Sequence, residues 1–96
     1  MKIVTTSRAD ALVRERGGRL YVWAKAAHCC GGTRFIEAST EPPRDLTRFQ
    51  LIESDPLELY VRPARDHGLP NELEVDLARL RRNWLQARWD GCPYLP

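Results

Sequence analysis

The sequence predicts a small, mostly β domain of the α+β class, with antiparallel strands and one N-terminal helix. Three observations lead to this fold: short segments of alternating apolar and polar residues, turn residues between them, and one helical segment near the N-terminus. The chain has 96 residues, of which 43% are hydrophobic and 29% are charged. These proportions are ordinary for a globular chain, so we expect a single domain spanning residues 1–96.

Residues 7–16 have the signals of a short helix. Ser7 is a favourable N-cap, and Asp10 lies three residues later in the capping-box position. Asp10 and Arg14 form a favourable i,i+4 pair. Gly17 and Gly18 supply a C-terminal stop, so the sequence predicts that the helix ends before them.

Five later segments have strand character. Residues 19–27 are apolar on both sides, which is typical of a central strand covered on both faces. Leu57, Leu59 and Val61 alternate with polar residues, and a turn precedes them, which indicates a hairpin with the segment before it. The predicted strands cover residues 19–27, 33–39, 48–53, 57–62 and 83–90, with Gly91 ending the last one.

Residues 71–82 fit two periods. Leu73, Val75 and Leu77 alternate with acidic residues as a strand would, whereas Leu73, Leu77 and Trp84 also fall at helical spacing. We favour a strand over residues 72–77, because Val75 would lie off the apolar face of a helix.

The chemistry of the chain is concentrated in its cysteines, which occur at two places only. Cys29 and Cys30 follow His28, and Cys92 lies near the C-terminus. Thiolates are soft ligands that hold zinc or iron–sulfur clusters, and imidazole is a frequent metal ligand. Neighbouring residues of a strand point to opposite faces, so Cys29 and Cys30 reach one site together only if the Gly31-Gly32 turn relaxes that rule. The alternative is that the cysteines are buried small hydrophobes.

Other function classes have weaker support. His67 adjoins Asp66, but the chain has no nucleophile elbow, Gly-rich phosphate loop or paired CxxC, so we expect no enzyme activity. The net charge of +2 is too small to argue for nucleic acid by itself, so we regard nucleic acid as an unlikely partner. A C-terminal Arg/Trp-rich region could face a protein or nucleic-acid partner, or its tryptophans could lie in the core; it contains Arg79, Arg81, Arg82, Trp84, Arg88 and Trp89.

The expected location is the cytoplasm. No apolar run approaches the roughly 20 residues of a membrane span, and the N-terminal residues have no signal-peptide core. The number of cysteines, three, is odd, which argues against a closed disulfide framework. We therefore expect reduced thiols and no membrane association.

The order of these features resembles the A-type iron–sulfur carrier (HesB-like) family. The similar segments are the strand at residues 20–23, the Cys-Gly-Gly turn at 30–32, the strand ending at 57–63, the acidic–apolar alternation at 69–76, and the C-terminal Cys92-Pro93-Tyr94. Of the C-terminal Cys-x-Cys of that family, this chain has the first cysteine and not the second. Cys29 lies outside the family's pattern.

The resemblance implies a HesB-like fold and a small protein that binds an iron–sulfur cluster, iron or zinc. The family's ligand positions correspond to Cys30 and Cys92, and Cys29 and His28 are further candidate metal ligands. Two thiolates are too few for a closed four-ligand site, so a homodimer would complete it. The alternative function is a non-catalytic interaction domain with structural cysteines and the Arg/Trp-rich region as its partner-binding face.

Overall fold

A computed structural model describes residues 1–26, 34–54, 57–64, 68–78 and 84–95. The described residues form eight strands and one helix, which confirms a mostly β domain of the α+β class. The elements are β1 (Lys2–Thr5), α1 (Ser7–Glu15), β2 (Arg19–Ala26), β3 (Arg34–Ser39), β4 (Gln50–Glu53), β5 (Glu58–Val61), β6 (Glu72–Leu77), β7 (Leu85–Trp89) and β8 (Tyr94–Leu95).

The larger sheet has five strands in the order β4-β5-β2-β3-β8. β2 is central, and it pairs antiparallel with β3 and parallel with β5. Leu20 and Val22 point into the main core, whereas Tyr21 is buried on the opposite face. The prediction of a central strand with two covered faces is therefore confirmed, as is the antiparallel β4–β5 hairpin.

Aromatic residues cover the second face of this sheet. Tyr60 stacks on Tyr21 at a centroid distance of 5.1 Å, and Phe49 meets Tyr21 and Trp23 edge-on at 6.0 and 5.9 Å. The Arg62 guanidinium lies 5.8 Å from the centre of the Phe49 ring. Trp23 is only half-buried, because its cover comes from a loop aromatic residue and not from a second layer of strands.

The smaller sheet has three strands in the order β1-β6-β7. β6 has the bounds that the alternation predicts, and Leu73 and Val75 are buried at 0% and 1% exposure. Strand β1, which was not expected, runs parallel to β6. Together with the parallel β2–β5 pair, it gives a mixed topology, although the remaining pairs are antiparallel.

The N-cap of helix α1 lies one residue earlier than the sequence predicted. Thr6 and not Ser7 is the N-cap, since its side chain accepts a hydrogen bond from Ala9 N. The helix ends as predicted at Gly17-Gly18, where both glycines have positive φ and donate to carbonyls of the last turn. Asp10 pairs with Arg14 at 3.0 Å, which confirms the i,i+4 pair. In the described part of the chain, no helix is long and apolar enough to cross a membrane.

Candidate functional site

Cys92 lies directly after a tight two-residue turn at the end of β7. Trp89 N donates to Cys92 O at 2.7 Å, and Cys92 N donates to Trp89 O at 3.1 Å. The two residues between them, Asp90 and Gly91, have φ values of 53° and 84°, the positive sign that a type I′ turn requires. The Cys92 side chain is free and exposed, so this thiol can reach a ligand or a reagent.

Asp90 attaches this turn to the start of β6. Its Oδ1 accepts hydrogen bonds from Asn71 N and Glu72 N, both at 2.8 Å, and its own N donates to Glu72 O. Gly91 was expected only as the end of a strand, and this turn was not predicted. The Asp-Gly pair was the signal that could have found it, since it favours type I′ turns.

The other cysteines and His28 belong to the connection between β2 and β3, residues 27–33. His28, Cys29 and Cys30 lie outside the described residues, so their role as ligands stays a prediction. The two ends of the connection are described: Ala26 is paired with Arg34 across the sheet, and Arg34 is also paired with Leu95 of β8. Both ends therefore start from fixed positions in the larger sheet.

Chain length limits how far Cys30 can lie from Cys92. Pro93 O accepts a hydrogen bond from Ile36 N at 2.9 Å, so the residue after Cys92 is level with Ile36. Ile36 is two residues from Arg34, or about 7 Å along a strand. Cys30 is four residues from Arg34 and can lie at most about 14 Å from it. Because the chain from Arg34 to Cys30 is longer than the distance from Arg34 to Ile36, chain length permits the thiols of Cys30 and Cys92 to converge.

The strand ends around this connection carry cations and exposed aromatic rings. Lys25 is opposite Phe35, and Phe35 is opposite Tyr94, so these three form one row across β2, β3 and β8. Phe35 and Tyr94 are 45% and 53% exposed. Arg34 is the neighbour of Phe35 along β3, so its side chain points to the opposite face of the sheet from Phe35 and Lys25. One basic residue therefore lies on each face at this end of the sheet.

The described residues alone contain no cluster of three or more histidine, cysteine, aspartate or glutamate side chains suited to a metal ion. Cys92 is the cysteine that they contribute. A complete ligand set would have to include residues outside the described ranges or residues of a second chain.

The Arg/Trp-rich region separates into different environments. Trp89 is 2% exposed and belongs to the core, and Arg88 is 3.4 Å from Glu74 in an ion pair. Trp84 is 53% exposed. Arg79, Arg81 and Arg82 lie outside the described residues, as do His67 and Asp66. Trp89 is therefore a packing residue and not part of a partner-binding face.

Three described carboxylates in other parts of the fold, Asp45, Glu58 and Asp76, have lowered pKa values. The pKa of Glu58 is lowered by a hydrogen bond from the Tyr60 hydroxyl and by another from Arg19. The pKa of Asp76 is lowered by hydrogen bonds from the Thr6 hydroxyl and Leu77 N. The Arg19–Glu58 contact joins β2 to β5, and the Thr6–Asp76 contact joins the helix cap to β6. None of these hydrogen bonds involves a cysteine.

Comparison with known proteins identifies one family. No curated protein and no solved structure matches the chain. A family model described as "CC/Se motif containing family" matches residues 1–88. The matched range includes the adjacent Cys29 and Cys30 and ends before Cys92. Since the match extends over most of the chain, the chain belongs to the CC/Se motif containing family.

Proposed function

We propose that this protein binds a soft metal ion or an iron–sulfur cluster through thiolates, with Cys30 and Cys92 as ligands. The observation that carries the proposal is the placement of Cys92: an exposed thiol, fixed by a hydrogen-bonded turn, beside the strand that leaves the Cys29-Cys30 connection. The proposed role is binding, as in the A-type carriers that the sequence resembles, and not catalysis.

The ligand count leads to two versions of this site. Structural zinc and most iron–sulfur clusters take four protein ligands. Cys30 and Cys92 of two chains would supply four thiolates, in which case the site lies across a homodimer. Cys29 and His28 could instead complete the set within one chain. A reducing, cytoplasmic location would keep these thiols available for either version.

Metal content and absorption of protein purified without oxygen test the proposal. We expect iron with a visible sulfur-to-iron absorption, or zinc without colour. Cys30→Ser and Cys92→Ser should each lose most of the bound metal. Cys29→Ser is the matched control if the site is shared across a dimer, and it should then keep the metal. Light scattering at the same metal loading distinguishes a dimer from a monomer.

Alkylation of the native protein gives an independent measurement. Metal-free protein should be modified at Cys30 and Cys92, and added Zn²⁺ or Fe²⁺ should protect both together, because a shared ligand set is kept or lost as a unit. Mass spectrometry of the peptides reports each cysteine separately. Protection of neither thiol, combined with no metal in the purified protein, would refute metal binding and favour the interaction-domain alternative.

A second candidate function follows from the name of the family. The family name pairs a CC motif with Se, which we take to mean selenium, and the matched range holds Cys29 and Cys30 side by side. Thiols and selenols are both redox-active nucleophiles, so the pair could undergo dithiol–disulfide exchange. Two thiols would lose two protons and two electrons to a peroxide or a small disulfide, forming one S–S bond.

The two candidates differ in their dependence on Cys92. Treatment of metal-free protein with a small disulfide should yield an internal Cys29–Cys30 disulfide, found by mass spectrometry as the loss of two hydrogen atoms. Cys92→Ser should leave this reaction unchanged, whereas it should abolish metal binding. A mixed disulfide that accumulates at both cysteines without closing would contradict the redox candidate.

A further inference from the structure

We propose that strand β1 is a dimer interface, at which β1 of a second copy of this chain adds antiparallel to the edge of the smaller sheet. β1 (Lys2–Thr5) is the outer strand in the order β1-β6-β7. It pairs with β6 over all four residues, and no described strand lies on its other side. The interface contains no cysteine, so the inference goes beyond the proposed thiol site and does not rest on it.

The outer side of β1 presents backbone groups that can bond to another strand. Thr6 N donates to Val75 O, and in a parallel pair every second residue of a strand bonds to the same neighbour. The N–H and C=O groups of Ile3 and Thr5 therefore point away from β6, and within the described ranges they have no hydrogen-bond partner. Ile3 and Thr5 also line a groove of about 310 Å³, so there is space beside them.

The other outer strands of the two described sheets have features that hinder strand addition. β4 has a bulge between Leu51 and Glu53, β8 is two residues long, and β7 packs against β3. Bulges, short strands and cover are usual protections of a sheet edge. β1 has neither a bulge nor a proline, and residues 3–5 are all β-branched, which favours strand pairing. Among the edges of the described sheets, β1 is therefore the one best suited to pair with another chain.

The sequence of β1 is complementary to a second copy of itself. In a two-fold antiparallel pair, Ile3 of each chain faces Thr5 of the other, and the two strands exchange four hydrogen bonds. Val4 then lies on the two-fold axis, opposite Val4 of the second copy. Val4 is 39% exposed in the single chain, so pairing removes two apolar side chains from water. Lys2 faces the Thr6 hydroxyl and not another lysine, so like charges do not meet across the interface.

This dimer differs in geometry from one that shares a metal ion between cysteines. β7 is the third strand from the proposed interface, and neighbouring strands of a sheet lie about 4.8 Å apart. Five such spacings would separate the β7 strands of the two chains, a distance of about 24 Å. Cys92 follows the turn at the end of β7, so the two Cys92 thiols would be too far apart to bind one metal ion. Dimerisation through β1 should therefore need no metal.

Sedimentation equilibrium of the metal-free protein over a concentration series tests the proposal. The full chain, treated with a chelator and a reductant, should associate to twice its monomer mass. Val4→Lys should abolish the dimer, because like charges would meet on the two-fold axis, whereas the neutral, β-branched control Val4→Thr should retain it. An equimolar mixture of Val4→Lys and Val4→Glu should dimerise again, since opposite charges then face each other. This rescue also shows that both variants are folded.

Proline substitution tests the backbone contacts separately from the side chains. The Thr5 N–H makes no hydrogen bond among the described residues, so Thr5→Pro should abolish the dimer and leave the monomer folded. Val4→Pro removes a donor to β6 and should destabilise the monomer itself. In NMR hydrogen exchange, the amides of Ile3 and Thr5 should exchange more slowly as the protein concentration rises.

Three results would overturn the proposal. Wild-type protein that stays monomeric throughout the series would leave this edge to a different protein. A dimer that survives both Val4→Lys and Thr5→Pro would place the interface elsewhere. A dimer that forms only with added Zn²⁺ or Fe²⁺, and that is lost in Cys92→Ser, would be the metal-shared dimer; the thiol proposal would then stand and this one fail.

Discussion

Replacing Asp90 should destabilise the fold more than the exposure of this residue suggests. Asp90→Ala removes the acceptor of two hydrogen bonds from Asn71 N and Glu72 N, each worth about 1 kcal/mol in net terms. It also places alanine at a φ of 53°, which costs an L-residue without a short polar side chain about 1–2 kcal/mol. Together these effects amount to about 3 kcal/mol.

Urea denaturation followed by tryptophan fluorescence measures this loss. In a domain of this size, 3 kcal/mol lowers the melting temperature by roughly 12–24 °C. Asp90→Asn keeps a side-chain oxygen and tolerates the left-handed backbone, so it should lose only about 1 kcal/mol. Asp10→Ala is the matched control, because Asp10 makes one exposed ion pair, which contributes about 0.3–0.5 kcal/mol.

The reasoning would be refuted if Asp90→Ala unfolded within about 0.5 kcal/mol of the wild type, the usual range for neutral surface substitutions. It would also be refuted if Asp90→Asn were as unstable as Asp90→Ala. The first result would mean that the turn forms without its carboxylate, and the second that the negative charge and not the backbone conformation dominates.

Three further predictions concern the core and the helix. Leu73→Ala should cost about 2–5 kcal/mol in denaturant melts, because Leu73 is completely buried; a loss below 1 kcal/mol would contradict its place in the core. Trp89→Ala should cost about 3–5 kcal/mol and Trp23→Ala clearly less, since Trp89 is 2% exposed and Trp23 is half-buried; the reverse order would contradict the assignment of faces. Hydrogen bonds lower the folded pKa of Asp76 below its ordinary value of 3.8, so its contribution to stability is present above about pH 4 and is lost as the pH falls through the folded pKa. Thr6→Ala should raise that pKa in NMR titrations and remove the helix cap, at a cost of about 1 kcal/mol, whereas Thr6→Ser should preserve both; an unchanged Asp76 titration in Thr6→Ala would contradict the contact.

The elements that could be predicted from the sequence are those whose formation and bounds depend on residues close together in the chain. The alternation of Leu73 and Val75 with acidic residues favoured a strand over residues 72–77, although a helical period also fitted, and β6 has those bounds. The Gly17-Gly18 stop and the Asp10–Arg14 pair are equally local features of α1. In each case the residues that determine the structure are close together in the chain.

The parts that could not be predicted depend on distant contacts. β1 pairs with β6 some seventy residues later, and no short-range pattern in the chain encodes that pairing. Residues 19–27 were expected to be covered on both faces, but the cover of Trp23 within them depends on Phe49, which comes from the loop before β4. Convergence of Cys30 and Cys92 would also be a contact between residues far apart in the chain. It therefore has to be tested by the proposed metal and alkylation measurements.

Different parts of the fold hold Cys92 and the connection that contains Cys30. The metal-binding proposal therefore predicts different effects of two variants on metal content and on unfolding free energy. The Asp90 turn positions Cys92 and also stabilises the start of β6. The connection that contains Cys30 is instead attached at both ends to the paired strands β2 and β3. Asp90→Ala should therefore lower metal content and unfolding free energy together, and Cys30→Ser should lower metal content alone. Full metal retention in folded Asp90→Ala protein would mean that Cys92 is not a ligand, and it would shift the site to Cys29 and Cys30.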